Sequence, residues 1–292
     1  DIGLDKYGQG VGNYISTGTY FDPNLYRRPT IEGRNAALIG RGGIFAGGQW
    51  QDFDQSRVSE DVTHSFYEGS RPLHPFEGET IPIDPEKAKT QGKYSWAKSP
   101  RYDVEGFGHL PLETGPLARR MAAAGPNAAP HQDYDPLFLD IYNKIGPSVL
   151  TRQLARLHEA PKYFKWLRSW LDQLDLKESF YSKPTEYAEG KGFGATEAAR
   201  GALADWIVIE NNKIKNYQVI TPTAWNIGPR DGNDVLGPME KAFVGAPIVD
   251  PEDPVELGHV ARSFDSCLVC TVHAYDGKTG KELSKFVING MV

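Results

Sequence analysis

Cysteine is nearly absent: the 292-residue chain holds only Cys267 and Cys270, three positions apart near its end. A disulfide framework uses more cysteines, spread along the chain, so an ordinary apolar core must hold this fold. Basic residues are outnumbered 32 to 38, which gives a net charge of -6 and a pI of about 5.7. No basic face for nucleic acid or anionic lipid dominates, and small molecules or protein partners are the expected company. No window approaches the roughly 20 apolar residues of a membrane helix. The start, Asp1-Ile2-Gly3, has neither an initiating Met nor a signal peptide, and a processed, trimmed or incomplete chain is expected. No internal period suggests a solenoid. What the chain does have is length for one large or two ordinary domains. It also has abundant turn formers, with Gly 31 and Pro 21, so much loop around compact elements is expected.

Residues 1–108 are rich in Gly, Pro and aromatics, with short alternating runs such as Gly43-Ile44-Phe45-Ala46. These predict short strands, hairpins and ordered loops. Apolar residues then recur at three- and four-residue spacing over 112–124, 136–158 and 161–176. Three helices are predicted, the last two separated by Pro161. Phe164, Trp166, Leu167, Trp170, Leu171 and Leu174 fall mainly on one stripe, which is expected to pack into a core. Gly190-Lys191-Gly192-Phe193-Gly194 is expected to be a turn leading to Arg200. Residues 206–210 and 217–220 flank Asn211-Asn212-Lys213 as a β-hairpin. Helices are predicted around 237–244 and 254–263.

The segment Asp265-Ser266-Cys267-Leu268-Val269-Cys270-Thr271-Val272-His273 carries the most chemistry. Two thiolates three residues apart, with an imidazole three further on, can converge on one metal. A buried pair of thiols, or half of a zinc site, uses the same residues. Zinc wants four ligands and there is no second cysteine pair, while a thioredoxin-like redox pair wants a βαβ unit that the pattern lacks. Two thiolates leave a metal under-coordinated, so other ligands must come from elsewhere. Arg200, three residues after Glu197, suits a buried anion or an ordinary ion pair. The run Thr221-Pro222-Thr223-Ala224-Trp225-Asn226 reads equally as a strand ending in a turn.

Taken jointly, these segments carry a resemblance. The runs Lys93-Tyr94-Ser95-Trp96-Ala97-Lys98-Ser99-Pro100-Arg101-Tyr102, Glu113-Thr114-Gly115-Pro116-Leu117-Ala118-Arg119, Glu197-Ala198-Ala199-Arg200-Gly201, Pro222-Thr223-Ala224-Trp225-Asn226 and the closing 265–273 segment stand in one order along the chain. That order resembles the large subunits of nickel-iron hydrogenases, over residues 12–273. The likeness covers only the C-terminal portion of such a subunit, because the family's Arg-x-Cys-Gly-x-Cys motif is absent. The implied fold is α+β, a helical core with short strands and hairpins. It would comprise a strand- and loop-rich part (1–108), a helical part (109–183), a metal-site part (184–273) and a tail (274–292).

The resemblance implies heterolytic cleavage of H2 at a nickel-iron centre whose iron carries carbon monoxide and cyanide. Cys267 would be the terminal nickel ligand and first proton acceptor, and Cys270 would bridge nickel and iron. Arg200 would sit beside one cyanide and the H2 position, with Asp265 holding it. Thr223 would donate to the other cyanide, with backbone groups near Ala199 and Pro222 contributing, and Leu203 would line the pocket of the carbon monoxide. His273 and the Val219 carbonyl would bind magnesium. Implied partners are an iron-sulfur small subunit, since this chain has no cysteines for clusters, and the N-terminal part of the large subunit with the other two cysteines. The family pattern also allows a higher oligomer. The expected location is cytoplasmic, with membrane association only through partners.

Departures from the pattern are Ala199 and Ser266, where proline is common, and Asp205, where histidine is common. Cys-Leu-Val-Cys-Thr-Val-His looks like the uptake and H2-sensing subclass. Family precursors are usually cut after the final His, yet residues 274–292 are present here. An uncut tail is expected to pack beside the site, since Phe286-Val287-Ile288 is apolar. Two other readings stand beside uptake: an H2-sensing subunit with little turnover, and a degenerate structural subunit, which retention of both cysteines and His273 opposes.

Overall fold

In the computed structural model the described residues are 3–21, 38–40, 42–124, 135–179, 181, 188–266, 271–275, 279 and 282–287. Among them the chain runs β1 (Tyr14–Ser16), β2 (Thr19–Phe21), β3 (Leu38–Gly40), β4 (Gly43–Ala46), β5 (Gln49–Gln51), a 3-10 turn (Gln55–Arg57), β6 (Val58–Asp61), α1 (Pro85–Lys89), β7 (Ser99–Val104), β8 (Gly108–Leu110) and α2 (Pro116–Ala124). It continues with α3 (Pro136–Ile145), α4 (Val149–Gln173), β9 (Gly190–Ala198), β10 (Gly201–Glu210), β11 (Lys213–Ile220), α5 (Pro222–Ile227), α6 (Pro238–Phe243), α7 (Val255–Ser263), β12 (Thr271–Tyr275) and β13 (Glu282–Val287). The strands form small antiparallel sheets, ordered β1-β4-β5, β6-β7-β8 and β11-β10-β9, with the pairs β2-β3 and β12-β13. The class is α+β, as the sequence implies, and no described helix is long and apolar enough to cross a membrane.

One core joins three of these sheets. Ile15, Ile44, Val58, Tyr102, Leu112, Ala202, Ala204, Trp206, Ile220 and Trp225 pack together at near-zero exposure. Strand β10 shows why its register is fixed: Ala202, Ala204, Trp206 and Val208 are buried, while Leu203, Asp205, Ile207 and Ile209 are half-buried on the other face. A slip of one residue would turn Trp206 out of the core and lose roughly 1.5–3 kcal/mol from that side chain alone. The turn to β11 places Asn211 and Asn212 at φ 52° and 59°, the left-handed pair that a two-residue hairpin needs.

Three expectations are corrected. Pro161 does not separate two helices but lies inside α4, and the break comes at 146–148. Gly146 closes α3, and Ser148 opens α4 by accepting from Thr151 N (3.3 Å) while Thr151 Oγ1 accepts from Ser148 N (2.8 Å). That capping box nucleates the helix, and one proline removes a single backbone bond without ending it. Gly190 to Gly194 is strand, not turn, with Gly192 opposite Ile207 and Gly194 opposite Asp205. The ladder bonds are backbone bonds and need no side chain there. The stripe on the second half of α4 is not core: Phe164 is 76% exposed, Leu171 63% and Leu174 63%, and no residue from 160 to 173 is buried. The helix buries only its first turns, through Val149, Thr151, Arg152, Ala155 and Glu159.

Candidate metal centre

Arg200 stands on the two-residue link Ala199-Arg200 between β9 and β10, closed by the pair Ala198 and Gly201. Gly201 has φ +128°, and a Cβ there would lie 2.4 Å from Thr114 Oγ1 and 2.7 Å from Gly115 N, so only glycine fits. Arg200 Nε lies 3.6 Å from Asp265 Oδ1, an ion pair longer than a hydrogen bond. That Nε is buried and has no hydrogen-bond partner among the described residues. The second Asp265 oxygen lies 3.9 Å from Arg156 Nη2. Asp265 follows α7 at φ 53°, its N–H bonded to Arg262 O at 2.9 Å. This left-handed step turns the chain sharply into buried Ser266, after which Cys267 and Cys270 lie outside the described residues.

Pro222 and Thr223 open α5, where Thr221 accepts from Ala224 N at 3.2 Å. The run is therefore a short capped helix, packed against β10 and β7. Pro222 is buried, Ala199 is exposed, and Thr223 and Leu203 are half-buried, Leu203 on the face of β10 opposite the core. Val219 lies opposite Asp205 on β11, the outer strand of its sheet, where alternate carbonyls face away from the neighbour. His273 lies in β12 opposite Lys285 of β13. Residues 282–287 of the tail thus pair back along the His273 strand. Of the residues singled out in the sequence, Arg200 and Asp265 lie directly together.

The donor chemistry fits a thiolate-bound metal group. Two thiols follow immediately on the Arg200–Asp265 pair, and the buried, unpartnered Nε of Arg200 can donate to an acceptor at that place. Among the described residues no trio of His, Cys, Asp or Glu converges as a metal site.

Behind the pair lies a buried charge cluster that the sequence reasoning missed. Arg119 of α2 donates all five of its N–H groups. Nε and Nη2 reach Glu159 at 2.7 and 2.6 Å, Nη1 reaches Glu197 at 3.1 Å and Ala198 O at 3.0 Å, and Nη2 reaches Ala199 O at 3.0 Å. Glu197 also accepts from Thr17 N (2.8 Å), Thr17 Oγ1 (3.0 Å) and Ser16 Oγ (3.2 Å). Burial works against ionised Glu159, but the bonds and charge of Arg119, with the charge of Arg120, outweigh it and hold the carboxyl below its ordinary range. For Glu197 burial prevails, and its carboxyl is pushed up despite Arg119 and Thr17. Burial likewise opposes the charge on Arg119, yet Glu159 and Glu197 raise its affinity for the proton overall. A signal existed: Arg152 and Glu159 share the helical stripe of Val149 and Ala155, so charges stood on a face otherwise fit for burial.

The description of the nickel-dependent hydrogenase family matches residues 3–273. The periplasmic [NiFeSe] hydrogenase large subunit of Desulfomicrobium baculatum is 34% identical over 95% of this chain and 53% of its own length. The uptake hydrogenase large subunit of Bradyrhizobium diazoefficiens is 36% identical over 78% of the chain and 42% of its own length. Among solved structures, the as-isolated oxidised Ni-Fe-Se hydrogenase of D. vulgaris Hildenborough superposes with a TM-score of 0.74 at 31% identity, covering 90% of this chain and 53% of that one. The chain spans about half the length of the relatives it matches.

Proposed function

Since the chain belongs to the nickel-dependent hydrogenase family, we propose that it forms the C-terminal portion of a hydrogenase large subunit and carries half of the residues that split H2 heterolytically. The observation that carries this reading is the Arg200–Asp265 pair, 3.6 Å apart, set immediately before Cys267 and Cys270. Cys267 and Cys270 would hold a nickel-iron group, with carbon monoxide and cyanide on the iron. That group supplies a polarising, redox-active acceptor for the electrons of H2. Cys267 Sγ takes the released proton, because a ligated thiolate beside the reacting bond can be protonated in place.

Asp265 Oδ1, 3.6 Å from Arg200 Nε, holds the guanidinium, whose terminal N–H groups are left to face an acceptor ligand. Asp265 is in turn shared with Arg156, whose Nη2 lies 3.9 Å from its second oxygen. Thr223 Oγ1 donates to the second acceptor, with backbone groups near Ala199 and Pro222 contributing, and Leu203 lines the apolar pocket beside it. His273 and the Val219 carbonyl bind magnesium. The rest of the large subunit supplies the remaining thiolates, and an iron-sulfur small subunit takes the electrons. The exposed apolar stripe of α4 suits burial against that other half.

The test is H2-dependent reduction of an artificial acceptor, with metal analysis, on the complete large subunit joined to its small subunit. Cys267→Ala is expected to abolish both nickel retention and turnover; a nickel-loaded, active variant overturns the assignment. Wild-type complex that binds nickel but reduces no acceptor would instead favour the H2-sensing role.

A further inference from the structure

The run 113–119 lies apart from Arg200, Asp265 and the cysteines in sequence, yet its residues bond to the Arg200 turn and the Pro222 helix and, through Arg152, approach the Asp265 step. Glu113 takes Arg152 in a two-point grip, Nε at 2.7 Å and Nη2 at 3.0 Å. The same guanidinium lies 3.9 Å over the Phe264 ring, next to Asp265, and donates to Gly8 O at 2.8 Å. Thr114 Oγ1 accepts from Ala202 N (2.8 Å), two residues after Arg200, and donates to Ile15 O (2.9 Å). Thr114 N donates to Asn226 Oδ1 (2.9 Å) and Thr114 O accepts from Asn226 Nδ2 (3.1 Å), which ties α5 to the same residue. Arg119 grips the carbonyls of Ala198 and Ala199 at 3.0 Å each. Glu113, Thr114, Arg119 and Asn226 are all buried.

We propose that 113–119 is a frame that sets the Arg200 turn, the Pro222 helix and the Asp265 step against one another, with Thr114 and Arg119 as positioning residues for the reaction. The proposal rests on the functional reading above only for what the frame positions; the coupling of the turns is a property of the chain itself. The hydroxyl of Thr114 is committed to β1 and β10, through Ile15 O and Ala202 N, and both of its backbone groups to Asn226 of α5. A shift of one turn therefore has to break a buried bond or move the other turns with it. At a site where about 1 Å of misplacement is felt in the chemistry, such a frame has a direct effect on the reaction.

The test uses the full-length large subunit with its small subunit, and two readouts. In amide hydrogen exchange, Thr114→Val, which keeps the shape and removes the hydroxyl, is expected to speed exchange about tenfold at 199–202. It should also speed exchange at 223–226, which the Thr114 side chain does not touch. Thr114→Ser should restore both. In infrared spectra of the loaded complex, Thr114→Val and Arg119→Lys should displace the bands of metal-bound carbon monoxide and cyanide. Ser65→Ala, which removes a hydroxyl of a buried residue that donates to Ala97 O (2.7 Å) away from the frame, should leave the bands in place. Faster exchange confined to Ala202, or bands unmoved in Thr114→Val when its stability falls as in Ser65→Ala, overturns the proposal. Absence of the bands from the wild-type complex would instead fail the functional reading, and the exchange arm would still decide whether the frame exists.

Discussion

Arg119 and Glu159 offer a direct measurement of how strongly the charge cluster holds the fold. Both side chains are 3% exposed, and they meet through two parallel bonds of 2.6 and 2.7 Å. Removing one partner strands a buried charge, which typically costs about 3–5 kcal/mol. Against a total stability of about 5–15 kcal/mol, either Arg119→Met or Glu159→Leu should lower Tm by roughly 6–20 °C. The double variant leaves neither charge of this pair, so it should fall well short of the sum, with an interaction energy of about 2–3 kcal/mol. It will not return to wild type, because Glu197 still loses its Arg119 bond and Arg120 loses its Glu159 partner at 3.3 Å.

The pH dependence carries the sign. Glu159 is depressed in the folded chain, so its contribution is fully present above the ordinary carboxylate value of about 4.3 and is lost as pH falls below it. Chemical denaturation between about pH 7 and pH 3 should therefore show a shallower acid loss in Glu159→Gln than in wild type. Additive single costs, to within about 0.5 kcal/mol, would refute the geometry of the pair.

Other expected outcomes follow from the backbone. Pro161→Ala should stabilise by about 1–3 kcal/mol, because alanine restores a bond inside the continuous helix α4; a loss in urea unfolding would contradict that continuity. Asn212→Ala should cost about 1 kcal/mol, since φ 59° is a left-handed position, whereas Asn212→Gly should be neutral or better in the same assay. Gly201→Ala should cost more than about 3 kcal/mol, because its Cβ would meet Thr114 Oγ1 at 2.4 Å. A folded Gly201→Ala protein with wild-type Tm would mean that the Arg200 turn is not held against Thr114.

Local signals in the sequence were read well where the physics is local. The Asn211-Asn212 hairpin follows from two residues that tolerate positive φ between apolar runs, and α6 and α7 follow from a proline near each start. The failures came where a local rule met a wider context. Pro161 looks like a helix breaker, yet the stronger punctuation is Gly146 with the Ser148 and Thr151 capping box, about three to four turns earlier. The three glycines of 190–194 look like a turn in isolation, but β10 offers a ladder to pair with. The apolar stripe from Phe164 to Leu174 has the periodicity of a core face and stands exposed, because periodicity reports that a face will be covered and not which part of the molecule covers it.

The site divides along the same line. Arg200 and Asp265 were legible as a pair because each sits in a distinctive motif, and the structure joins them. Their support was not legible, because it depends on bonds that cross 40 to 112 residues, from Arg119 to Glu159 and from Thr114 to Asn226. A charged residue in a sequence is by default a solvated one, and only the position of Arg152 and Glu159 on the buried stripe of α4 contradicted that default. The contradiction has a physical consequence. Burying Arg119, Glu159 and Glu197 together is tolerable only because Arg119 has five acceptors for its five donors. Two of those acceptors are the carbonyls of Ala198 and Ala199, just before Arg200, so the same bonds that make the cluster stable fix the Arg200 turn. Variants that relax the cluster are therefore expected to lose stability and site geometry together, and not one without the other.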